Sequence, residues 1–423
     1  MTNNHISPLK GRKILVAATG SIAAVKTPLL VSELIQAGAE VRCVVTPSAS
    51  KLVSPLALST LSRKSCYLDK DQWDHKQSKP LHIELAEWAE IIVIAPLSAN
   101  SLAKWVHGIG EGLLASLLLA YEKPVIAAAA MNTGMWSNYA VKKNWEALSK
   151  NNQVIPLNPS FGLLACDRIG EGKMVNTEII RLALESALIR KNAKSIISND
   201  WKDLHLLVTA GATVEDLDPA RQISNKSSGR MGVLIAQAAK LRGAKIDLIH
   251  GSLDIPSDLT EGLNNFPVRN SEEMQIQLEK LQKTADVIAM AAAVSDFRRK
   301  GGKAKQKIQK DYLINSLDLE IVPDLLSEVS SRKKEKQIIL GFAALTGNDE
   351  QIQSLGEIKR GQKGCDLLMA NPIDRSHQGF GVNFNGGFLL SNNKKIKTMP
   401  VISKFELANQ LLDEILLLKS EVF

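Results

Sequence analysis

The sequence predicts an α/β protein made of two doubly wound, Rossmann-like domains. The chain has 423 residues, which is more than one hydrophobic core usually organises. Each half opens with the same pattern, in which a buried strand, a glycine turn, an amphipathic helix and a second strand follow one another. Because strand–helix–strand units join parallel strands, we expect a parallel sheet with helices on both faces in each half.

The first half begins with the strand pattern KILVAATG, 13–20, which ends in a Gly-Ser turn. The segment AVKTPLLVSELIQAGAE has helical spacing, and VRCVVT is the next strand. Further strands are predicted at IIVIA, from Ile91, and at PVIAAAA, from Pro124. These elements predict a first domain over residues 1–189.

The second half begins with the strand pattern HLLVTAG, 205–211. A long polar loop, the helix MGVLIAQAAKLRGA and the strand KIDLIHG follow, and DVIAMAAAV, QIILGFAA and CDLLMAN are further strand candidates. We therefore predict a second domain over 205–423, joined to the first by the polar segment RKNAKSIISNDWKDL, 190–204.

Net charge and aromatic content indicate which kinds of partner the protein can bind. A formal net charge of +8 suits an anionic partner, either nucleic acid or small phosphorylated ligands. Part of the excess is the run RRKGGKAKQKIQK, 298–310, which has no acidic residue. Aromatic residues make up 4 %, which argues against the stacking surfaces of single-strand binders.

Cysteine usage and hydropathy predict a cytoplasmic protein without a membrane span. The four cysteines form no CxxC pair, which argues against a disulfide framework or a zinc site. Cys43 and Cys365 lie in apolar strands and are expected to fill the core. The polar start predicts no secretory signal, and the longest aliphatic patches are too short to cross a bilayer.

Three loops are expected to meet at the carboxyl edge of the first sheet, where ligands of open α/β sheets bind. Gly20 would permit close backbone approach, and the hydroxyls of Ser21, Thr46 or Ser48, and Ser98 suit a phosphate near helix N-termini. For any one of these loops, helix capping is the more frequent role. Without a GxGxxG motif, a mononucleotide is favoured over a dinucleotide.

Several motifs resemble known families. TGSIAAVK, HIELAEW, APLSAN, AAMNTGMW and the glycine-rich loop segment LACDRIGEGKM resemble flavin-dependent cysteine decarboxylases, especially phosphopantothenoylcysteine decarboxylases. TAGATVEDLDPARQISNKSSGRMG, AAAVSDF and GFAA resemble phosphopantothenate–cysteine ligases. In this order, and over nearly the whole chain, they resemble the bifunctional bacterial enzymes of coenzyme A synthesis. The resemblance implies a flavodoxin-like flavoprotein domain followed by a nucleotide-binding ligase domain.

The resemblance implies FMN and a decarboxylase site in the first domain. His82, at the entrance of the IIVIA strand, would be the active-site base, Asn132 would hold the substrate carboxylate, and Cys166 would donate the final proton. Lys173 would bind the substrate phosphate, with GEGKM closing as a lid. FMN would oxidise the substrate thiol so that CO2 can leave. The implied FMN contacts are Gly20, Ser21, Ile22, Thr46, Ser48, Ser98, Asn100 and Met131.

The resemblance implies ligation through an acyl-cytidylate in the second domain. Asn225 would handle this intermediate beside Arg221, and Lys307 would support acyl transfer to CMP. Lys359 and Lys363 would bind the triphosphate, and their spacing places them on one face of a helix. Mg²⁺ would accompany CTP. The implied nucleotide contacts are Ala291, Ala292, Ala293, Asp296, Pro323, Asp324 and Phe342.

The basic run has two interpretations. It is either a solvated loop with weak affinity for nucleic acid or, as the resemblance implies and we favour, a flap that closes over CTP. We expect small-molecule substrates, no nucleic acid and no membrane partner. By analogy, the first domains would form trimers with shared active sites and the ligase domains dimers, with a dodecamer as one arrangement.

Three departures from the family pattern bear on function. Asp167 follows Cys166 where the family has glycine, and its carboxylate is expected to disfavour the thiolate. Leu345 and Val322 replace family residues of the second domain. The alternatives are therefore a decarboxylase with a degenerate ligase domain, a flavin-domain regulatory protein that binds a phosphatase, and a flavin prenyltransferase, which would leave the second half unexplained.

Overall fold

Two compact units make up the chain in a computed structural model, residues 1–198 and 199–423. The structure describes residues 7–74, 78–190, 199–310, 317–393 and 395–422. Of the predicted linker, 191–198 lie outside the described residues. Its last part belongs to the second unit, because Trp201 is fully buried and Asp200 forms an ion pair with the buried Arg242.

Aliphatic runs of the first unit form a fully parallel six-stranded sheet of order β3-β2-β1-β4-β5-β6, and an antiparallel hairpin, β7–β8, follows it. The order reverses between β1 and β4, which is where doubly wound sheets bind ligands. The strands are β1 Lys13–Ala18, β2 Glu40–Val45, β3 Cys66–Tyr67, β4 Ile91–Leu97, β5 Val125–Ala129, β6 Val154–Leu157, β7 Ser160–Leu163 and β8 Ile169–Lys173.

Helices connect these strands and bury their apolar faces against the sheet. The α-helices are α1 Thr27–Gln36, α2 Pro55–Ser62, α3 Leu81–Trp88, α4 Ala99–Val106, α5 Leu113–Ala120, α6 Thr133–Ser137, α7 Tyr139–Ser149 and α8 Thr177–Ile189. Short 3-10 helices cover Ile22–Lys26, Ala49–Lys51 and Asp69–Trp73. Every residue of β4 is buried, as a central parallel strand with helices on both faces requires.

The second unit has an eight-stranded sheet of order β13-β12-β9-β14-β17-β18-β19-β20. Its first six strands are parallel, and β19 and β20 add an antiparallel edge. The strands are β9 His205–Ala210, β10 Val214–Asp218, β11 Arg221–Ser224, β12 Lys245–His250, β13 Asn264–Pro267, β14 Val287–Met290, β15 Phe297–Arg299, β16 Leu319–Ile321, β17 Ile338–Leu345, β18 Leu367–Pro372, β19 Phe384–Ser391 and β20 Ile396–Ser403.

The predicted α/β class with doubly wound domains is confirmed for both halves. In the part of the second unit that the structure describes, the α-helices are α9 Arg230–Leu241, α10 Ser271–Leu281, α11 Leu325–Ser331, α12 Asp349–Lys363 and α13 Lys404–Val422, and a 3-10 helix covers Ser257–Thr260. Among the described residues, no helix combines the length and the apolar character needed to cross a membrane.

Two candidate active sites

The loops after β1, β2 and β4 contact one another at the carboxyl edge of the first sheet. The buried Thr19 hydroxyl donates to the Pro96 carbonyl (2.8 Å) and accepts from the Ser98 N–H (2.7 Å). A Cβ on Gly20 would lie 2.6 Å from the Cβ of Ser48, so glycine alone lets the first two loops come this close. The predicted convergence of the three loops is present in the structure.

The four candidate hydroxyls of these loops fall into two pairs. Ser98 caps α4, and Thr46 accepts an N–H bond at the start of the next 3-10 helix, as the capping interpretation expected. Ser21 and Ser48 each precede a 3-10 helix without capping it. Asn100 is exposed in the first turn of α4. Ser21, Ser48 and Asn100 therefore offer polar groups at this edge that the local helices do not use as caps.

Two other predicted FMN contacts differ in exposure. Ile22, the first residue of its 3-10 helix, is 55 % exposed. Met131 is buried after β5, and its N–H donates to the Gly172 carbonyl (3.0 Å). Ile22 could therefore contact a ligand from the solvent side, whereas Met131 holds the loop after β5 against the β8 strand through its backbone hydrogen bond.

Asn132 and Cys166 are brought into contact by a β-hairpin. The Asn132 Nδ2 donates to the Cys166 Sγ over 3.2 Å. The segment 161–174 was expected to be a glycine-rich loop, and that expectation is wrong, because β7 and β8 pair in an antiparallel hairpin with the exposed Cys166 in its turn. Asp167 has φ 58°, a left-handed conformation that explains why glycine suits this position and why aspartate is tolerated.

Glycines hold this hairpin against the β5 loop. A Cβ on Gly172 would lie 2.2 Å from the Met131 carbonyl oxygen, and one on Gly170 would lie 2.6 Å from the Thr133 Oγ1. The Trp136 indole N–H donates to Glu171 (3.0 Å) on the same strand. Lys173 ends β8 and is half-buried. Gly172 of GEGKM thus permits close packing between two backbones, and Gly170 leaves room for the Thr133 side chain.

His82 lies elsewhere than the sequence suggested. It is the second residue of α3, which precedes β4, so a helix of about 12 Å separates it from the strand entrance. Helices of doubly wound domains run antiparallel to their strands, so His82 lies toward the carboxyl edge. It lines a cavity of about 650 Å³ with the 78–80 and 110–112 segments.

The second unit has a cavity of about 960 Å³ at the carboxyl edge of its sheet. Ten predicted ligase residues line it: Asn225, Ala291, Ala292, Ala293, Asp296, Pro323, Asp324, Phe342, Lys359 and Lys363. They come from five separate segments of the sequence. Lys359 and Lys363 both lie on α12, as their spacing predicted.

Polar contacts organise this cavity. The Asn225 Nδ2 donates to the carbonyls of Ala293 (3.3 Å) and Val294 (3.0 Å). Lys363 forms an ion pair with Asp324. Burial acts to raise the pKa of the Asp324 carboxyl, but hydrogen bonds from Lys363 and Ser327 outweigh burial and hold it below its usual range. Asp324 is therefore ionised at neutral pH.

Arg221 and Lys307 are not among the residues that line the cavity. The Arg221 Nη1 donates to Asp218 (3.4 Å) and to the Ile308 carbonyl (3.1 Å), and Asp218 also accepts from the Ile308 N–H (3.1 Å). The Lys303 Nζ reaches Asp216 (3.3 Å). The basic run is thus docked on the β10–β11 hairpin, with Lys307 exposed to solvent.

The departures and the cysteines have structural explanations. Leu345 ends β17 and packs in the core of the second unit, outside the cavity lining. Val322 lines the cavity, and its N–H donates to the Asp296 carbonyl (3.0 Å). Cys43 and Cys365 are buried, as predicted. Burial raises the pKa of the half-buried Cys66 thiol to about 12, which keeps it protonated.

Several residues that line these cavities are not among the predicted site residues. Residues 110–112 line the cavity beside His82, and the glycine-rich sequence GIGEG, 108–112, is the pattern that could have indicated them. Gly112 permits close packing there, because a Cβ on it would lie 2.8 Å from an Asp69 carboxylate oxygen. Arg230 and Lys404 line the second cavity. Lys404 starts a helix far along the chain, so no local motif marks it.

Comparisons with known families match both halves. The family model described as "DNA/pantothenate metabolism flavoprotein C-terminal domain" matches residues 201–418. The model described as "Flavoprotein" matches residues 2–187. The Coenzyme A biosynthesis bifunctional protein CoaBC of Bacillus subtilis is 35 % identical over 416 residues, which cover 98 % of each chain.

Two solved structures resemble one half each. The FMN binding protein AtHal3 is 35 % identical, with a TM-score of 0.38, and the match covers 42 % of this chain and 98 % of that one. The C-terminal domain of a coenzyme A biosynthesis bifunctional protein CoaBC is 26 % identical, with a TM-score of 0.43, and the match covers 53 % of this chain and 100 % of that one.

Proposed function

The chain belongs to the family of coenzyme A biosynthesis bifunctional proteins CoaBC, and from this membership we propose the two reactions that it catalyses. It is a bifunctional enzyme of coenzyme A biosynthesis, with a flavoprotein decarboxylase half and a ligase half. The ligase half joins cysteine to 4′-phosphopantothenate with CTP. The decarboxylase half converts the product to 4′-phosphopantetheine. The catalytic domains are residues 1–189 and 205–423.

The cavity of the second unit carries the ligase proposal. Ten residues that the resemblance implied line a single cavity, although they are spread over 139 positions of the sequence, from 225 to 363. Asn225 lies against the 291–296 loop, where it would orient the acyl-cytidylate. Lys359 and Lys363 would neutralise the triphosphate. Leu345, whose replacement of a family residue raised the degenerate-ligase alternative, lies in the core and does not face this cavity.

Mg²⁺ would enter this cavity on the triphosphate. Among the described residues, no cluster of three or more histidine, cysteine or carboxylate side chains is suited to a metal ion. Mg²⁺ bound with a nucleotide keeps most of its waters and phosphate oxygens and needs one or two carboxylates. Asp296 is exposed in the lining and could supply one.

The first unit suits a flavin mononucleotide. The close approach at Gly20 and the polar groups of Ser21, Ser48 and Asn100 would hold a phosphate at the carboxyl edge. When bound, FMN supplies the oxidation of the substrate thiol that makes the carboxylate a leaving group. Asn132 binds that carboxylate with a neutral amide, which does not stabilise the ground state as a countercharge would. The reduced flavin would return the two electrons to the enethiolate left after loss of CO2, and Cys166 would deliver the proton that completes 4′-phosphopantetheine.

We place the complete decarboxylase site between copies of the chain. His82 lines one cavity, whereas Asn132 and Cys166 meet at the hairpin. The described part of the first unit carries several large exposed apolar side chains, among them Trp73 in the lining of the His82 cavity and three residues of the hairpin, which favours an interface. Those of the first unit that are at least 67 % exposed, among the described residues, are Leu56, Trp73, Tyr139, Phe161, Leu163 and Ile169. Trimers of decarboxylase domains, dimers of ligase domains and a dodecamer that combines them are the assemblies we propose.

The test is chemical analysis of the purified protein. It should be yellow and release FMN on denaturation, and it should form 4′-phosphopantetheine from 4′-phosphopantothenate, cysteine and CTP. His82→Asn should keep FMN and lose CO2 release from added 4′-phosphopantothenoylcysteine. Recovery of FAD, or undiminished decarboxylation by the variant, would contradict the proposed site.

A further inference from the structure

One buried carboxylate connects the two predicted ligase residues that do not line the cavity. Asp218, the last residue of β10, is only 1 % exposed. Its side chain accepts hydrogen bonds from Arg221 on β11 and from the N–H of Ile308, the residue that follows Lys307 in the basic run. Arg221 and the segment that carries Lys307 are far apart in the sequence, and this one side chain ties them together.

The two oxygens of the Asp218 carboxylate have different partners. Oδ1 accepts from the N–H groups of Ala220 (2.7 Å) and Arg221 (2.9 Å), which closes the turn between β10 and β11. This is an ordinary role of aspartate in a turn, and Oδ1 alone fulfils it. Oδ2 accepts from the Ile308 N–H (3.1 Å) and from the Arg221 Nη1 (3.4 Å). The turn needs neither of these two bonds, so Oδ2 serves the basic run and Arg221.

Arg221 completes a clamp on the backbone of Ile308. Its Nη1 also donates to the Ile308 carbonyl (3.1 Å), so Asp218 binds the N–H of this residue and Arg221 binds its carbonyl. Burial acts to raise the pKa of the Asp218 carboxyl, but N–H bonds from Ala220, Ile308 and Arg221 outweigh burial and hold it below its usual range. The carboxyl is therefore ionised at neutral pH, and the hydrogen bonds that it accepts are charge-assisted.

The preceding part of the basic run is attached more weakly. Lys303 is exposed and reaches Asp216 over 3.3 Å, and ion pairs at the surface contribute little. Residues 301–302 are glycines at which a Cβ would have no described atom within 4 Å, so this part of the run is not closely packed. Ala304 donates its N–H to the Leu217 carbonyl (3.0 Å). The run is thus held most firmly at the clamp.

We propose that Asp218 is a positioning residue of the ligase half, which fixes the basic run at Ile308 so that Lys307 moves to the nucleotide from a defined point. This inference rests on the proposed ligase reaction and on the predicted role of Lys307 in it. Lys307 is exposed, whereas the backbone of the next residue is clamped. A lysine on a fixed backbone loses less conformational entropy on reaching its target than a lysine on a free loop.

Asp218→Asn removes the clamp and keeps the turn. The amide oxygen of asparagine still accepts the two N–H bonds of the turn, whereas its NH2 group is a donor that faces the Ile308 N–H and the Arg221 guanidinium. Pyrophosphate release with CTP, 4′-phosphopantothenate and cysteine should fall about 10- to 100-fold, as expected for the loss of a charged hydrogen bond. CO2 release from added 4′-phosphopantothenoylcysteine should stay at the wild-type rate, because that site lies in the other domain.

A double variant distinguishes positioning from a general loss of stability. Asp218→Asn combined with Lys307→Gln should be about as slow as Lys307→Gln alone, because the clamp then has no lysine to position. Independent effects would multiply instead. Asp216→Asn is the matched control on the same strand, since Asp216 contacts Arg269 and Lys303, and it should keep a rate of pyrophosphate release near that of the wild type. Melting temperatures establish that each variant is folded.

Limited proteolysis with trypsin measures the clamp without reference to activity. Lys305 and Lys307 are exposed, but the backbone around them must leave its docked position to enter a protease. In Asp218→Asn, cleavage after these lysines should be about 10-fold or more faster than in the wild type, because the rate follows the population of the released run. Asp216→Asn should be cleaved at nearly the wild-type rate.

The outcomes separate this proposal from the ligase assignment. Wild-type protein that releases no pyrophosphate with all three substrates would overturn the ligase reaction and the proposal with it. Three results would each overturn the positioning role and leave the ligase assignment intact. They are a wild-type rate of pyrophosphate release in folded Asp218→Asn, multiplied losses in the double variant, and equal trypsin cleavage of Asp218→Asn and the wild type.

Discussion

At the scale of residues, Asp167 controls the turn that presents Cys166. Its φ of 58° costs a β-branched residue more than glycine or aspartate. Asp167→Val should therefore destabilise the first domain by about 1–2 kcal/mol, whereas Asp167→Gly should not. The measurement is the urea midpoint for release of bound flavin. Equal midpoints for both variants would mean that the left-handed turn does not control this domain's stability.

The thiol itself is tested by Cys166→Ser. Oxidation and CO2 loss do not need the final proton donor, so the variant should release CO2 but accumulate an oxidised aminoenethiol product. Cys66→Ser is the matched control, since Cys66 lies on β3 and should leave product formation near the wild-type rate. Mass spectrometry of the products checks both variants. Normal 4′-phosphopantetheine from Cys166→Ser at the wild-type rate would exclude the thiol as the donor.

At the scale of elements, the β7–β8 hairpin depends on its contact with the β5 loop. Gly172→Ala would place a Cβ 2.2 Å from the Met131 carbonyl at a φ of 154°, so we expect a loss of at least about 1 kcal/mol in stability and a large loss of decarboxylation. Gly162→Ala, whose Cβ would lie 3.5 Å from the Lys173 side chain, is the control on the same hairpin. Thermal unfolding and CO2 release measure the effects. Similar behaviour of the two variants would contradict the packing argument.

The basic run is the second element with a testable role. It is docked on β10–β11, so Lys307 reaches CTP only if the run moves. Lys307→Gln should lower acyl-cytidylate formation on the order of 100-fold, as loss of a preorganised electrostatic contact does, and leave decarboxylation intact. Lys305→Gln, exposed in the same run, should cost much less. Equal, small losses in CTP-dependent pyrophosphate release would indicate a diffuse cationic patch without a specific role for Lys307 instead.

Strands and their order of appearance were predictable, whereas contacts between distant segments were not. The aliphatic runs that end at Gly20 and Gly211 predict β1 and β9 correctly, because buried parallel strands are continuously apolar. The sequence of 161–174 predicts a loop, because its glycines serve packing against the β5 loop and leave no alternating apolar pattern. The antiparallel edge of the second sheet and the burial of Lys404 likewise depend on tertiary contacts that no local pattern records.

At the scale of the whole molecule, the central claim is that one chain catalyses two successive reactions at separable sites. The most direct measurement supplies 4′-phosphopantothenate, cysteine and CTP to two variants and identifies the products by mass. His82→Asn should accumulate 4′-phosphopantothenoylcysteine with release of pyrophosphate. Asn225→Asp should form no 4′-phosphopantothenoylcysteine but still decarboxylate it when it is added. If His82→Asn instead formed no 4′-phosphopantothenoylcysteine, or if Asn225→Asp lost decarboxylation of the added compound while still folded, the two sites would not be separable and the account would be contradicted.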